Sequence, residues 1–480
     1  MRLFIAAFLA VPIYAVASFA AAPTFNKDIA PILYQNCSTC HRPGEVAPFS
    51  LLTYQDASKR AKLISTVTER RYMPPWKAEP GYGKFLNERR LTDTQIALIR
   101  EWADAGAPEG NAADKPAAPT FTDGWQSGKP DKILTLASKY SLAADGPDQF
   151  RCFVLPLGLD HDAYVGSLEF RPENRRVVHH ALVFVDSSGT ARARAVRGGG
   201  SYPCFGGPGI PAAGLIGGWA PGALPPPPDA DNARPVPQGS DLVVQIHFHP
   251  SGKVEMDQSS IGLTFAAGPP KKGRTAALVL APRIDIPAGD ANYVVKGQII
   301  LPRDVDVVAI APHAHYLARD MKITAHPPDG STVPLIWIKD WDFNWQGAYL
   351  YEKPFTLPKD TRIDLEYTFD NSADNPRNPA HPPVRVRWGE QTTDEMALAF
   401  IGVSLPTPAD AEAFQRQIAV QYLEAFLYEG VTVENIPTEI PPQQREALAV
   451  VFRLFDRNGN GKLDADEREP LLNLLRSQIR

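Results

Sequence analysis

Residues 177–185 read VVHHALVFV and place two adjacent histidines inside an apolar, β-branched run that is typical of a buried strand. Burying imidazole nitrogens without partners is unfavourable, so a bound metal ion is one way to satisfy them. Two further histidine pairs follow, His247 with His249 and His313 with His315. The run therefore predicts a β-rich core that contains histidine-lined sites.

Strand spacing determines which histidines can share one ion. Residues two apart on a strand face the same side, so His313 and His315 can bind an ion together. Adjacent residues normally face opposite sides, so His179 and His180 need a bulge or a strand end to converge. An exported chain with imidazole-rich sites and few acidic ligands indicates copper or zinc, and a methionine ligand would favour copper. Three methionines could supply that ligand: Met256, Met321 and Met396.

Size and composition narrow the class of protein. A chain of 480 residues is expected to form about three domains. Its net charge of −5, without a basic run, argues against binding to nucleic acid or to an anionic membrane surface. Its 35 glycines and 47 prolines favour short strands joined by turns, and residues 121–405 show several such strands. They indicate sandwiches or jelly rolls, with a seam near residue 268.

Residues 1–22 have the pattern of a secretory signal peptide. Arg2 precedes an apolar run, and small residues follow, with cleavage expected after Ala20 or Ala22. A membrane anchor that is never cut is the alternative, although the run is short for spanning. After cleavage we expect no transmembrane span and a periplasmic or secreted protein, where disulfides persist.

Residues 23–110 contain the haem-attachment signature C-x-x-C-H. Cys37 and Cys40 would form thioether bonds to a haem c, and His41 would bind the iron. A disulfide or a zinc knuckle is the alternative. Met73 is the one methionine of this segment after the motif, so it is the candidate second axial ligand, unless it only fills the core. With an amphipathic helix over 91–102, the segment indicates a small cytochrome c domain.

Residues 111–120 are rich in alanine and proline and are interpreted as a linker. The two remaining cysteines, Cys152 and Cys204, are expected to form a disulfide, because the haem would use the other two.

Residues 406–480 are predicted to be helical and to contain one EF-hand loop at 456–467. The loop has oxygen side chains, a glycine and a final glutamate at the positions that bind one Ca²⁺. The ligand positions are Asp456, Asn458, Asn460, Lys462, Asp464 and Glu467. An ordinary polar turn is the alternative. Because no second loop accompanies it, a structural or assembly role is favoured over a sensor.

Residues from about 121 to 405 resemble the type II copper, ascorbate-dependent monooxygenases, the family of peptidylglycine α-hydroxylating and dopamine β-monooxygenases. The matching pieces are Val178-His179-His180, Gln245-Ile246-His247-Phe248, His313-Ala314-His315 and Thr393-Asp394-Glu395-Met396. The resemblance implies two jelly-roll sandwiches, at 121–268 and 269–405, with one copper ion in each. The implied fold class is therefore a mixed multidomain chain: an all-α cytochrome c domain, two all-β jelly rolls and a helical EF-hand region.

The same resemblance implies roles for the histidines. It assigns His179, His180 and His247 to an electron-donating copper, with His249 competing for the third place. It assigns His313, His315 and Met396 to the copper that activates oxygen and therefore to catalysis.

The chain departs from the peptide-amidating members of that family where they hold a substrate carboxylate. The arginine, asparagine and tyrosine of those members are replaced by Ala311, Leu398 and Phe400. A neutral or apolar small substrate is therefore favoured over a peptide terminus.

These motifs together predict an exported copper-dependent monooxygenase that hydroxylates a C–H bond with O₂. Electrons would come from a periplasmic donor through the fused haem. The alternative is a haem and copper electron-transfer or metal-binding protein without hydroxylase activity. A cupin-type dioxygenase, using His247, His249 and Glu255, is a third hypothesis, although it leaves the other histidine pairs unused.

Overall fold

A computed structural model describes most of the chain. The described residues are 22–43, 45, 47–121, 124–204, 207–210, 214–220, 225, 227–389, 391–428 and 442–477. The signal peptide expected at 1–22 lies outside them, apart from Ala22. Two compact units are present: Met1–Pro75 with Arg89–Thr120, and Trp76–Glu88 with Phe121–Arg480.

The first unit is built from helices around a small apolar core. Its α-helices are α1 (Ala30–Asn36), α2 (Tyr54–Ser58), α3 (Ala61–Glu69) and α4 (Asp93–Asp104), with a π-helical turn at Phe25–Ile29 and a 3₁₀ turn at Ala112–Asp114. The amphipathic helix expected over 91–102 is confirmed as α4. It begins after Thr92, whose hydroxyl accepts from the N–H of Gln95 while the Gln95 side chain accepts from the Thr92 N–H. Buried Phe25, Leu33 and Trp102 belong to the core beneath it.

The strands found among the described residues all lie in the second unit. The first eleven are β1 (Lys132–Thr135), β2 (Tyr140–Leu142), β3 (Gln149–Pro156), β4 (Ala163–Arg171), β5 (Val178–Asp186), β6 (Ser201–Pro203), β7 (Gly214–Trp219), β8 (Arg234–Val236), β9 (Asp241–Phe248), β10 (Glu255–Asp257) and β11 (Ser260–Phe265). The next ten are β12 (Gly273–Leu280), β13 (Asp285–Ile286), β14 (Tyr293–Ile300), β15 (Val305–His313), β16 (Ala318–His326), β17 (Val333–Ile338), β18 (Tyr349–Leu357), β19 (Arg362–Phe369), β20 (Val386–Arg387) and β21 (Leu398–Leu405). Its helices are α5 (Thr190–Arg197), α6 (Pro408–Tyr428), α7 (Pro442–Phe455) and α8 (Ala465–Ser477).

Among the described residues the strands form six antiparallel sheets. Their orders are β1-β11-β4-β8, β10-β2, β6-β3-β9-β5-β7, β12-β21-β15-β18, β13-β20 and β14-β19-β16-β17. Within the described residues, no sheet mixes strands from before and after residue 268. Two apolar cores accompany these two groups of strands, one around β9 and the other around β15, β16, β19 and β21.

The predicted fold class is wrong. The sequence predicted a mixed multidomain chain with an all-α cytochrome c domain, two jelly-roll sandwiches and a helical C-terminal region, whereas the chain as a whole is mostly β, with 33% strand and 20% helix. The predicted C-terminal helices are present as α6, α7 and α8. Within the part of the chain that the structure describes, the strands are divided among six small sheets of two to five strands. Sequence alternation marks strand segments, but the number of strands in a sheet depends on long-range pairing that alternation does not encode.

One segment of the N-terminal part of the chain packs into the second unit. Ala78 pairs with Ile338 and Phe85 pairs with Tyr351 as isolated bridges, and both Ala78 and Phe85 are buried in the core around β15. The Lys77 ammonium also lies 2.9 Å from the Asp340 carboxylate. The described part of the chain contains no helix that is both long and apolar enough to cross a membrane.

Candidate metal centres

Three histidines converge where β5 begins beside β9. His180 lies directly opposite His247, and the register between the two strands shifts between Val178 and His180. This irregularity is the bulge that an adjacent pair needs in order to point to one place. One ligand atom from each of His179, His180 and His247 lies within 4.8 Å of the others, so the three can hold a metal ion.

The nitrogens that face one another in this triad are the Nδ1 atoms. His179 Nδ1 lies 3.3 Å from His180 Nδ1, and His180 Nδ1 lies 3.3 Å from His247 Nδ1. Neutral imidazoles in this arrangement turn lone pairs toward a common point, which a cation would stabilise. The opposite nitrogen of His179, Nε2, is buried and has no hydrogen-bond partner. The donor set therefore fits a metal bound through Nδ1.

Asp148 holds the outer side of the triad. Its Oδ2 accepts a hydrogen bond from His247 Nε2 at 2.9 Å, and its Oδ1 accepts one from His249 Nδ1 at 2.7 Å. His249 is thus turned toward the carboxylate, and its side chain is 54% exposed. The geometry favours His247 over His249 as the third ligand. Glu255, the acid of the cupin hypothesis, instead bonds Asn174 and Ser251.

Burial keeps His179 and His180 neutral. It lowers the pKa of His179 to about 3 and, together with the neighbouring His247, holds the pKa of His180 well below its usual value. Burial also opposes the charged form of Asp148, but the hydrogen bonds from His247 and His249 outweigh it and hold that carboxyl pKa well below its usual range. At neutral pH the site therefore combines neutral imidazoles at His179 and His180 with the Asp148 carboxylate.

His313 and His315 form the second centre, at the end of β15. Their ring centroids lie 5.2 Å apart with the planes at 85°. His313 Nδ1 donates to Gln346 Oε1 at 2.5 Å, and His315 Nδ1 donates to the Asp394 carbonyl at 3.0 Å. Because both partners are acceptors, each ring presents an Nε2 lone pair for a metal.

The buried side chain of Glu395 links the backbone at Met396 to the backbone at His315. Glu395 Oε2 accepts from the His315 N–H at 2.8 Å and from the Met396 N–H at 3.2 Å. Its Oε1 accepts from the Leu317 N–H at 2.6 Å. The Trp341 indole donates to the His315 carbonyl at 2.9 Å. Both predicted elements of the site, the His-x-His pair and the segment around Met396, are therefore tied to one anchor.

Burial also sets the protonation of the second centre. It lowers the pKa of His313 to about 4 and that of His315 to about 3, so both rings are neutral near pH 7. It raises the pKa of Glu395 to about 8, against the stabilising backbone N–H groups of His315 and Leu317.

Phe343 lies between the two centres. Its ring stacks on His179, with centroids 4.6 Å apart and an interplanar angle of 15°. The same ring meets His315 edge-on, with centroids 5.6 Å apart. The two histidine groups of the second unit are therefore linked through one aromatic side chain.

The surface next to His313 is apolar. In the pairing of β15 with β21, His313 lies opposite Leu398 and Ala311 lies opposite Phe400. Residues two apart on a strand share a face, so these four side chains lie together. Phe400 is 43% exposed although it is a large apolar residue. These are the positions where the resemblance predicts the substrate.

The haem motif follows α1. Cys37 and Cys40 are not joined in a disulfide, which argues against the disulfide alternative. His41 Nδ1 donates to the Phe49 carbonyl at 3.1 Å, so its Nε2 retains the lone pair that iron needs. Met73 follows α3, and its N–H donates to the Val67 carbonyl at 3.1 Å.

The calcium-loop residues are joined to one another by hydrogen bonds. The Glu467 carboxylate is buried and accepts from the N–H groups of Arg457, Asn458 and Asp464 at 2.8, 3.1 and 3.0 Å. Asn460 Nδ2 lies 2.9 Å from Asp464 Oδ2. Lys462 occupies position seven, where the backbone carbonyl is the expected ligand.

The predicted disulfide between Cys152 and Cys204 is confirmed. Cys152 lies on β3, and Cys204 follows β6, the neighbouring strand of the same sheet. The bond therefore ties the edge of the sheet whose β9 carries His247.

Comparisons with known proteins do not identify a family. No family model matches the chain, and no curated protein matches it. Two solved structures that it is similar to are the infectious bursal disease virus VP2 subviral particle (10% identity, 61% of this chain and 75% of that chain, TM-score 0.16) and PNGF-II (8% identity, 60% and 63%, TM-score 0.20). A third is the major capsid protein P2 from bacteriophage PM2, with 10% identity, 51% of this chain and 99% of that chain covered, and a TM-score of 0.18. Structural similarity at these TM-scores is too low to indicate a function.

Proposed function

We propose that this chain is an exported copper-dependent monooxygenase that hydroxylates a C–H bond of a neutral or apolar small molecule. The observation that carries the proposal is the pairing of two different histidine sites in one unit, with Phe343 between them. Besides the two electrons that the C–H bond supplies, a monooxygenase needs two more for each O₂; two one-electron centres can provide them, and the chain has two candidate sites. The resemblance of 121–405 to the type II copper monooxygenases supports the same reaction.

The two sites are proposed to hold one copper ion each. His179, His180 and His247 would bind the first, and His313, His315 and Met396 the second. Copper would supply one-electron redox chemistry and, at the thioether-containing site, reaction with O₂. The overall reaction consumes the C–H compound, O₂, two electrons and two protons, and it yields the alcohol and water.

The side chains around the second site have separate tasks in this proposal. Gln346 and the Asp394 carbonyl fix the ring orientation of His313 and His315. Glu395 holds the Met396 backbone beside His315. Ala311, Leu398 and Phe400 would contact the substrate and offer no charge to a carboxylate, which favours a neutral or apolar substrate.

The chain would also bind a haem c and one Ca²⁺. Cys37 and Cys40 would attach a haem c, with His41 and Met73 as its axial ligands, and electrons would pass from a periplasmic donor through it. The EF-hand loop would bind one Ca²⁺ in a structural role. The confirmed disulfide supports a periplasmic or secreted location.

Replacement of Met396 tests this function against an electron carrier without oxygen chemistry. Met396→Ala in the copper-loaded, haem-containing protein should slow reoxidation of the ascorbate-reduced protein by O₂, because it removes a ligand that would hold Cu(I) at the site where O₂ reacts. Copper EPR and haem absorbance report the reaction. Met256→Ala, at an exposed methionine on β10, is the control. Equal reoxidation rates in the two variants would contradict the hydroxylase.

A further inference from the structure

Asp148 is the one carboxylate in hydrogen-bond contact with the triad, among the described residues. It immediately precedes β3, and its side chain is only 4% exposed. Each oxygen is used by a different imidazole, Oδ2 by His247 and Oδ1 by His249. Neither the resemblance nor the histidine pattern assigns it a role.

The hydrogen bond from His247 determines which nitrogen of that ring can bind a metal. An ionised carboxylate only accepts hydrogen bonds, so the proton must lie on His247 Nε2. The lone pair then lies on Nδ1, the atom that faces His180 Nδ1 at 3.3 Å. Phe150 stacks on the same ring, with centroids 4.2 Å apart and planes at 12°, which fixes the remaining tilt of the imidazole.

The second hydrogen bond fixes the carboxylate itself. His249 lies just beyond the end of β9 and donates to Oδ1, so Asp148 is held at both oxygens. A carboxylate anchored in this way keeps a fixed distance from the triad. Its negative charge lies behind a ligand, in a buried position where screening by water is weak.

We propose that Asp148 is a positioning residue for the first metal site: it holds His247 as an Nδ1 ligand and favours the more highly charged state of the bound ion. The proposal rests on the proposed function only in that the triad binds copper. A carboxylate that accepts from a ligating imidazole makes the ring a stronger donor. Its charge also attracts Cu(II) more strongly than Cu(I), so it lowers the reduction potential of the site.

The test uses Asp148→Asn in the full chain with haem and copper loaded. The matched control is Asp257→Asn, because Asp257 is equally buried in this unit but bonds Asn174 and Ser259 instead of a histidine. Copper affinity is measured by competition with a chelator, and the potential by EPR-monitored titration. Asp148→Asn should bind Cu(II) at the triad about 10- to 100-fold more weakly and raise the potential, while Asp257→Asn changes neither.

A second variant covers the case in which Asp148→Asn does not fold. His249→Gln changes a half-exposed side chain, keeps the carboxylate charge and removes one of its two anchors. It should weaken Cu(II) binding at the triad by a smaller factor. The proposal is overturned if the folded Asp148→Asn protein has the copper affinity and reduction potential of the wild-type protein. If Asp148→Asn does not fold, it is overturned by a His249→Gln protein with wild-type copper affinity. Absence of copper from the triad of the wild-type protein itself would instead overturn the proposed function.

Discussion

The ring of Phe343 lies nearly parallel to the imidazole of His179, with the centroids 4.6 Å apart. Phe343 is 4% exposed, so this contact is shielded from water. Because the same ring meets His315 edge-on, any change in its position is felt at both candidate centres.

Replacing Phe343 should therefore affect turnover more than metal content. Phe343→Leu keeps an apolar side chain but loses the aromatic contacts, which contribute about 0.5–1.5 kcal/mol each. We expect two coppers per chain to remain and O₂-dependent reoxidation to slow by roughly tenfold, because misplaced reacting groups lower rates steeply. Phe369→Leu, at a buried phenylalanine of β19, should lower the unfolding temperature and leave the reoxidation rate unchanged. Equal rates in all three proteins would exclude a coupling role for Phe343.

The stability of the metal-free protein should depend on pH through the buried histidines. The pKa values of His179, His313 and His315 are lowered by burial to about 3, 4 and 3, whereas unfolded histidine titrates near 6.5. A lowered folded pKa means that the unfolded chain binds more protons, so stability present above pH 6.5 is lost as the pH falls toward 4. The expected loss is roughly 1 kcal/mol per pH unit for each such histidine.

Urea unfolding at pH 7, 6 and 5 measures this slope. A His313→Asn and His315→Asn double variant should show a shallower slope than the wild-type protein. A double variant with an unchanged slope would show that these rings are not held neutral by the fold.

Calcium removal tests the EF-hand assignment. Chelation should lower the unfolding temperature of the C-terminal helices, because bound Ca²⁺ stabilises the folded loop by mass action. Glu467→Gln, at the last ligand position, should abolish this calcium effect, whereas exposed Glu469→Gln should retain it. Calcium-independent melting of the wild-type protein would favour the ordinary polar turn.

Replacement of Met73 tests whether this residue is the second axial ligand of the haem. Met73→Leu should retain covalent haem at Cys37 and Cys40 but lower its reduction potential, because a thioether ligand raises the potential of a haem. Redox titration of the purified protein measures the change, with Met256→Leu as the control. An unchanged potential, or unchanged turnover with a periplasmic electron donor, would remove Met73 from the electron pathway.

The sequence predicted the strands that carry the histidines because their signal is local. The apolar run at 177–185 appears as β5, and two of the strand-like segments within 121–405 appear as β9 and β15. The requirement for a bulge at His179 and His180 was also local, and the register shift after Val178 meets it. The prediction of the fold class was wrong because the sheet that a strand joins depends on pairing with strands far away in the sequence.

The side chains that support the sites were missed for the same physical reason. Asp148 reaches His247 across 99 residues, and Glu395 reaches the His315 N–H across 80. Gln346 and Phe343 lie on the segment between β17 and β18, where the sequence shows no periodic pattern. Spacing could not decide between His247 and His249 as the third ligand, because the two histidines are only two residues apart near the end of the same strand. Asp148 distinguishes them.

Metal analysis with copper EPR of the haem-loaded, periplasmically expressed protein shows directly whether each of the two histidine sites binds one copper ion. The measurement should include His180→Ala and His313→Ala, each of which removes a ligand from one site. We expect two coppers and one iron per wild-type chain. Each variant should contain one copper, and the EPR spectra of the two variants should differ. A single copper in the wild-type protein, or zinc or non-haem iron at either histidine site, would contradict this expectation.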